Sequence, residues 1–200
     1  MTPEDLLDLE PSTKIDGATP LITAIMLGSH LEDKMEYINA ATKIIDKHKE
    51  LAVDHVTPGN ETALMWCVRG MEKTATPLLR SELANIAHKC IKYTQTGSEL
   101  FHRGTGEDSL NSILLSLFMN KCGKPANRYY LHKLIIHIFE KITGSNDLSS
   151  KDMVAMLAWE SDDTGPWDKT GMILIPEIEP YLETLMGKNW KKSLYPYVTK

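Results

Sequence analysis

The stretch Asp16-Gly17-Ala18-Thr19-Pro20-Leu21-Ile22-Thr23-Ala24-Ile25 decides how the rest of the chain is read. Thr19 can cap a helix with its hydroxyl, and Pro20 fits the first helical position, where no amide hydrogen is needed. Leu21, Ala24 and Ile25 then share one face at i, i+3, i+4 spacing. Gly17, just before the cap, permits a tight turn out of an extended segment.

The same device returns. In Asn60-Glu61-Thr62-Ala63-Leu64-Met65-Trp66-Cys67-Val68 the Thr cap stands 43 residues after Thr19, and Leu, a small residue and a β-branched residue follow in the same order. A third copy begins at Gly106-Glu107-Asp108-Ser109-Leu110, about 46 residues further, with Asp108 as cap and Ile113 in place of the small residue. Repetition at a fixed period indicates stacked units, each too small to bury its own apolar face.

The first copy resembles the ankyrin repeat. Gly17-Ala18-Thr19-Pro20-Leu21 is similar to that family's Gly-x-Thr-Pro-Leu, Gly28-Ser29-His30-Leu31-Glu32 to its Gly-His-Leu-Glu turn, and Val53-Asp54 to the Val-Asn of its turn finger. The period here exceeds the ~33 residues of an ankyrin repeat. The family's His after Thr-Pro-Leu is Ile22, Met65 and Asn111 in this chain. The resemblance is good over 16–69, fainter to 143 and nearly absent beyond.

Composition agrees with a folded protein: 200 residues, 42% hydrophobic and 24% charged, enough for one ordinary domain or a short repeat array. A net charge of −5 lacks the basic excess that general nucleic-acid binding calls for. No apolar run reaches the length of a membrane span. Met1–Leu7 is acidic and without the basic and apolar regions of a signal peptide, so the expected location is the cytoplasm. Cys67, Cys90 and Cys122 show no CxxC spacing and read as buried reduced thiols.

In chain order, Thr2 and Asp5 form a capping-box pattern before a short helix over 3–9 that covers one end of the array. Unit one has helices near 20–27 and 31–50, and 51–61 reads as an extended turn. Unit two has helices near 63–72 and 77–94, the latter opened by Thr76-Pro77. A segment rich in Gly, Ser and Thr spans 94–107. Unit three has helices near 109–121 and 126–143, the second being the most apolar in the chain. A degenerate fourth pair, or a capping pair, occupies 148–200, with helices carrying Met153, Met156 and Leu157 and then, after Pro176, Ile178, Tyr181, Leu182 and Leu185. Strand alternation persists nowhere. The expected fold is all-α: one domain over 1–200, a short solenoid of three to four helix-turn-helix units with capping helices. The units run approximately 16–58, 59–105, 106–147 and 148–200.

Motifs that would fix a reaction are absent. The closest histidine pairings, His48/His55, His88/Cys90 and His132/His137, lack the i, i+4 spacing of two ligands on one helical face, so neither metal nor cofactor is expected. Cys67 sits in unit two where Ala24 sits in unit one, a packing position more than a nucleophile's. Glu160, Asp162, Asp163 and Asp168, flanked by Trp159 and Trp167, make an acidic loop without EF-hand spacing. The tail Lys188-Asn189-Trp190-Lys191-Lys192 reads as a solvated terminus.

The ankyrin resemblance implies binding of another protein through a concave face built from the turns and first helices. That places the contact residues at Ile22, Thr23 and Met26 in unit one, Met65, Trp66 and Arg69 in unit two, and Asn111 and Leu115 in unit three. Divergent repeats in a small acidic chain also resemble effectors that intracellular bacteria deliver into host cells. The alternative is an enzyme or regulatory domain with its site in the 159–168 loop.

Overall fold

In the computed structural model, which describes residues 1–31, 34–59, 61–95, 125–144 and 179–189, the chain is mostly helical and no strand occurs among those residues. The helices are α1 (Pro3–Leu7), α2 (Pro20–Met26), α3 (Met35–His48), α4 (Glu50–Val53), α5 (Ala63–Lys73), α6 (Pro77–Tyr93), α7 (Pro125–Thr143) and α8 (Glu179–Met186). The first helix of unit three (109–121), the helix expected from 149 and the greater part of the 94–107 segment lie outside the described residues.

Side-chain caps start three of these helices where the sequence sets them. Thr2 and Asp5 close a full capping box on α1. The amides of Ile22 and Met65 donate to the hydroxyls of Thr19 and Thr62, at 3.5 and 3.2 Å, starting α2 and α5 alike. At α6 the start differs. Thr76 occupies the cap position but makes no side-chain cap bond, and its own amide donates to the Thr74 hydroxyl.

Each capped first helix follows a bridged turn. Ile15 and Ala18 exchange both backbone hydrogen bonds across Asp16-Gly17, whose positive φ values of 50° and 87° are those of a two-residue hairpin turn. In unit two the bridge joins Val56 to Thr62. Val53 is buried at the end of α4 and Asp54 follows as its cap, so both precede the bridged turn. The two turns stack. Lys14 Nζ donates to the Val56 carbonyl at 3.0 Å, and a Cβ on Gly17 would stand 2.6 Å from Pro58 Cγ.

Three expected boundaries move. The chain does not stop at Gly28 but widens into a π-helical turn over Leu27–Leu31, where the missing side chain leaves room for Ile38 of α3. The long second helix breaks at Lys49, whose φ of 49° ends α3 and redirects the chain into α4. Residues 51–53, expected in an extended turn, are consequently helical.

Packing follows a simple scheme. Within units α2 lies on α3 and α5 on α6, and between units α2 meets α5 while α3 meets α6. The outer side of α6 receives α7, whose Leu131, Leu134, Ile135, Ile138 and Phe139 are fully buried. At the other end α1 lies against α2 and α3 with Leu6 inside, and Tyr37 Oη donates to the Met1 carbonyl at 2.7 Å.

The turn stack yields a stability test. Gly17 combines a positive φ with the Pro58 contact, whereas a Cβ on Gly59 would meet nothing closer than 3.8 Å. Gly17→Ala should lower unfolding free energy by about 1–3 kcal/mol in a urea titration, from backbone strain and crowding. Gly59→Ala should leave it unchanged or raise it by about 0.4–1 kcal/mol.

Candidate binding cleft

Residues 43 positions apart share an environment. Leu21 and Leu64, Ala24 and Cys67, and Ile25 and Val68 are all buried, while Thr23 and Trp66, and Met26 and Arg69, are half-buried. One helical face thus enters the core, and a stripe one to two residues round it emerges at the edge. Because α2 and α5 lie side by side, their stripes meet.

There they line one cleft of about 290 Å³, walled by Thr23, Met26 and Leu27 of the first unit and Trp66 of the second. Ile15, Asp16 and Ala18 of the bridged turn close its end. The walls are almost wholly apolar. At the rim the Arg69 guanidinium lies 5.3 Å from the centre of the Trp66 ring, a cation–π distance, and forms an ion pair with Glu61. The Thr23 hydroxyl is shut off from solvent and finds no hydrogen-bond partner among the described residues.

Of the residues expected to bind a partner, Thr23, Met26 and Trp66 meet in this cleft, and Arg69 stands beside it. Ile22 and Met65 are buried, at 1% and 5% exposure, so they support the face from beneath. Asn111 and Leu115 lie outside the described residues, as do the 159–168 loop and the basic tail beyond Asn189. Ile15, Asp16, Ala18 and Leu27 were missed by sequence reasoning. The signal for the first two was the Asp-Gly turn itself, which brings the chain back over the start of α2.

Elsewhere the chemistry is sparse. Cys67 and Cys90 face each other as free, fully buried thiols on α5 and α6. Burial first, and then the Cys90 thiol, push the Cys67 pKa well above the ordinary thiol value, which leaves it unsuited to nucleophilic attack. His88 of α6 and His137 of α7 meet with Nδ1 atoms 3.0 Å apart, a pairing across 49 residues that in-helix spacing could not show. No group of three or more His, Cys, Asp or Glu side chains converges as a metal site among the described residues, and none of their helices is long and apolar enough to cross a membrane. No protein-family model matches the chain, and no curated protein or solved structure matches it.

Both described thiols should react slowly with a thiol reagent in the native state and rapidly in denaturant, because the thiolate must form in a dry interior. Mass spectrometry of labelled peptides measures each rate. Native labelling of Cys67 as fast as that of a free thiol would contradict the burial assigned to it.

Proposed function

We propose that the chain is a protein-binding module, a stack of helical pairs resembling divergent ankyrin repeats. It takes its partner on the face where α2 and α5 run side by side. One observation carries this reading: side chains of two successive units, with the turn preceding the first, line a single apolar cleft. A bulky apolar side chain of a partner protein suits that cleft. Trp66 supplies large, rigid contact area and Met26 an adaptable thioether. Exposed Asp16 and the Arg69–Glu61 pair give the rim the polar character that interfaces commonly show.

A binding role suits what the cleft offers: apolar surface, one shielded hydroxyl and the exposed Asp16 carboxylate at its end. Units of a solenoid repeat their surface and so extend a groove for a long ligand.

Binding and folding separate in a set of variants. Leu64 is 3% exposed, so Leu64→Ala should cost about 2–5 kcal/mol of stability. Arg69→Ala should cost less, about 1 kcal/mol, because its ion pair with Glu61 is only partly buried and keeps contact with solvent. Trp66→Ala should fall between them in melting temperature. Affinity capture with mass spectrometry should recover a partner with the wild type and with Leu78→Ala, whose exposed leucine lies on α6. The same partner should be lost with Trp66→Ala and with Met26→Ala. If Trp66→Ala still captures it, or unfolds the protein as badly as Leu64→Ala, the cleft is not the binding site.

A further inference from the structure

The contact between His88 and His137 is unlike the others that hold α7 to α6. Near it in sequence both helices carry buried apolar side chains, Ala87 and Ile91 on α6 and Leu134 and Ile138 on α7. The two half-buried rings meet Nδ1 to Nδ1 at 3.0 Å, with centroids 5.2 Å apart and planes inclined by 32°. Such a bond needs one Nδ1 to carry a hydrogen and the other to offer its lone pair. One proton can therefore lie between the rings. When both rings are cationic, both Nδ1 atoms carry hydrogen and the bond becomes a clash of like charges.

We infer that His88 and His137 form an acid-released latch, which holds α7 on α6 while at most one ring is charged and frees the helix when both are. The charged groups around the pair act in both directions. On α7, Lys133 opposes a positive charge on His88, while the Glu140 carboxylate favours charge on both rings and on His137 acts more strongly than the opposing Lys141. That carboxylate is engaged in part by Tyr181 of α8, whose hydroxyl donates to it at 3.1 Å. Lys141 is fixed close by, donating to the Ile91 and Lys92 carbonyls at the end of α6 at 2.5 and 2.7 Å, with Glu50 of α4 favouring its charge. On α6, Lys89 is bound by Asp46 of α3, and Lys92 lies over the Tyr93 ring. The charged residues of α5, Arg69, Glu72 and Lys73, figure in the electrostatics of neither ring.

Linkage fixes the direction. Burial is the first cause that holds each ring below the ordinary histidine value of 6.5, so the unfolded or undocked chain binds more protons than the docked one. The latch is at full strength above about pH 6.5 and weakens as pH falls through that value toward the lowered ones. The two rings titrate as a pair, with apparent values that belong to both. Release would uncover the apolar stripe of α7 while leaving α2, α3 and α5 assembled.

Backbone hydrogen exchange by mass spectrometry, corrected for the intrinsic effect of pH, tests the latch at about pH 7.5 and about pH 5. In the wild type, protection across Leu131–Phe139 should fall several-fold relative to Leu21–Ile45, since the undocked helix binds more protons than the docked one. The midpoint should coincide with titration of the two rings followed by nitrogen NMR. The double variant His88→Gln/His137→Gln keeps a donor and an acceptor without a titrating ring and should lose the selective fall, whereas His137→Gln, with burial still acting on His88, should keep a smaller one. A loss of protection equal in both regions, or a midpoint away from the ring titration, overturns the inference. So does a selective fall that persists in the double variant or is undiminished in His137→Gln.

Discussion

The rest of the structure depends on how closely the second unit can approach the first. At Gly70 of α5 an added Cβ would stand 2.8 Å from both Cβ and Oγ of Ser29, and 3.0 Å from Leu83 Cδ1. Ser29 is held against that backbone by its hydroxyl, which donates to the Ile25 carbonyl at 2.6 Å. Only a residue without a side chain lets α5 rest on the π-helical turn that follows α2. Gly17 under Pro58 plays the same part for the two turns. Close approach at these points brings Ala24, Ile25, Cys67 and Val68 into one continuous core, the condition under which dispersion and hydrophobic burial outweigh chain entropy.

The cleft is a consequence of that geometry. Two helices in register present equivalent positions side by side, yet Thr23 is small where Trp66 is large, and Met26 is apolar where Arg69 is charged. The small member leaves space and the large one walls it. Arg69, drawn toward Glu61, lies beside the Trp66 ring and defines the edge of the opening. The difference in size between Thr23 and Trp66 thus shapes this face.

Much of this was legible in the residues. The threonine caps, the proline starts and the leucine two residues after each cap are local signals, and α2, α5 and α6 begin where they indicate. The match in burial between residues 43 apart was readable from the repeat alone. The break at Lys49 was not, because a lysine at positive φ has no sequence signature and is imposed by the surrounding structure. The π-helical turn was hidden for a related reason: Gly28 read as a stop signal, and its use depends on Ile38, ten residues away on another helix. Pairing of His88 with His137 needed the stacking of α6 on α7, which no spacing within one helix contains.

The stacking of the units at Gly70 is the central claim, and a double-mutant cycle across the contact tests it most directly. Unfolding free energies would be measured for wild type, Gly70→Ala, Ser29→Gly and the double variant. Gly70→Ala should cost about 1–3 kcal/mol from overpacking in the wild-type background. It should cost less where Ser29→Gly has removed the opposing Cβ and hydroxyl, giving a coupling of about 0.5 kcal/mol or more. Strict additivity, or a Gly70→Ala change no larger than that of an exposed substitution, would show that α5 does not rest on the turn after α2 and would contradict the stacked arrangement.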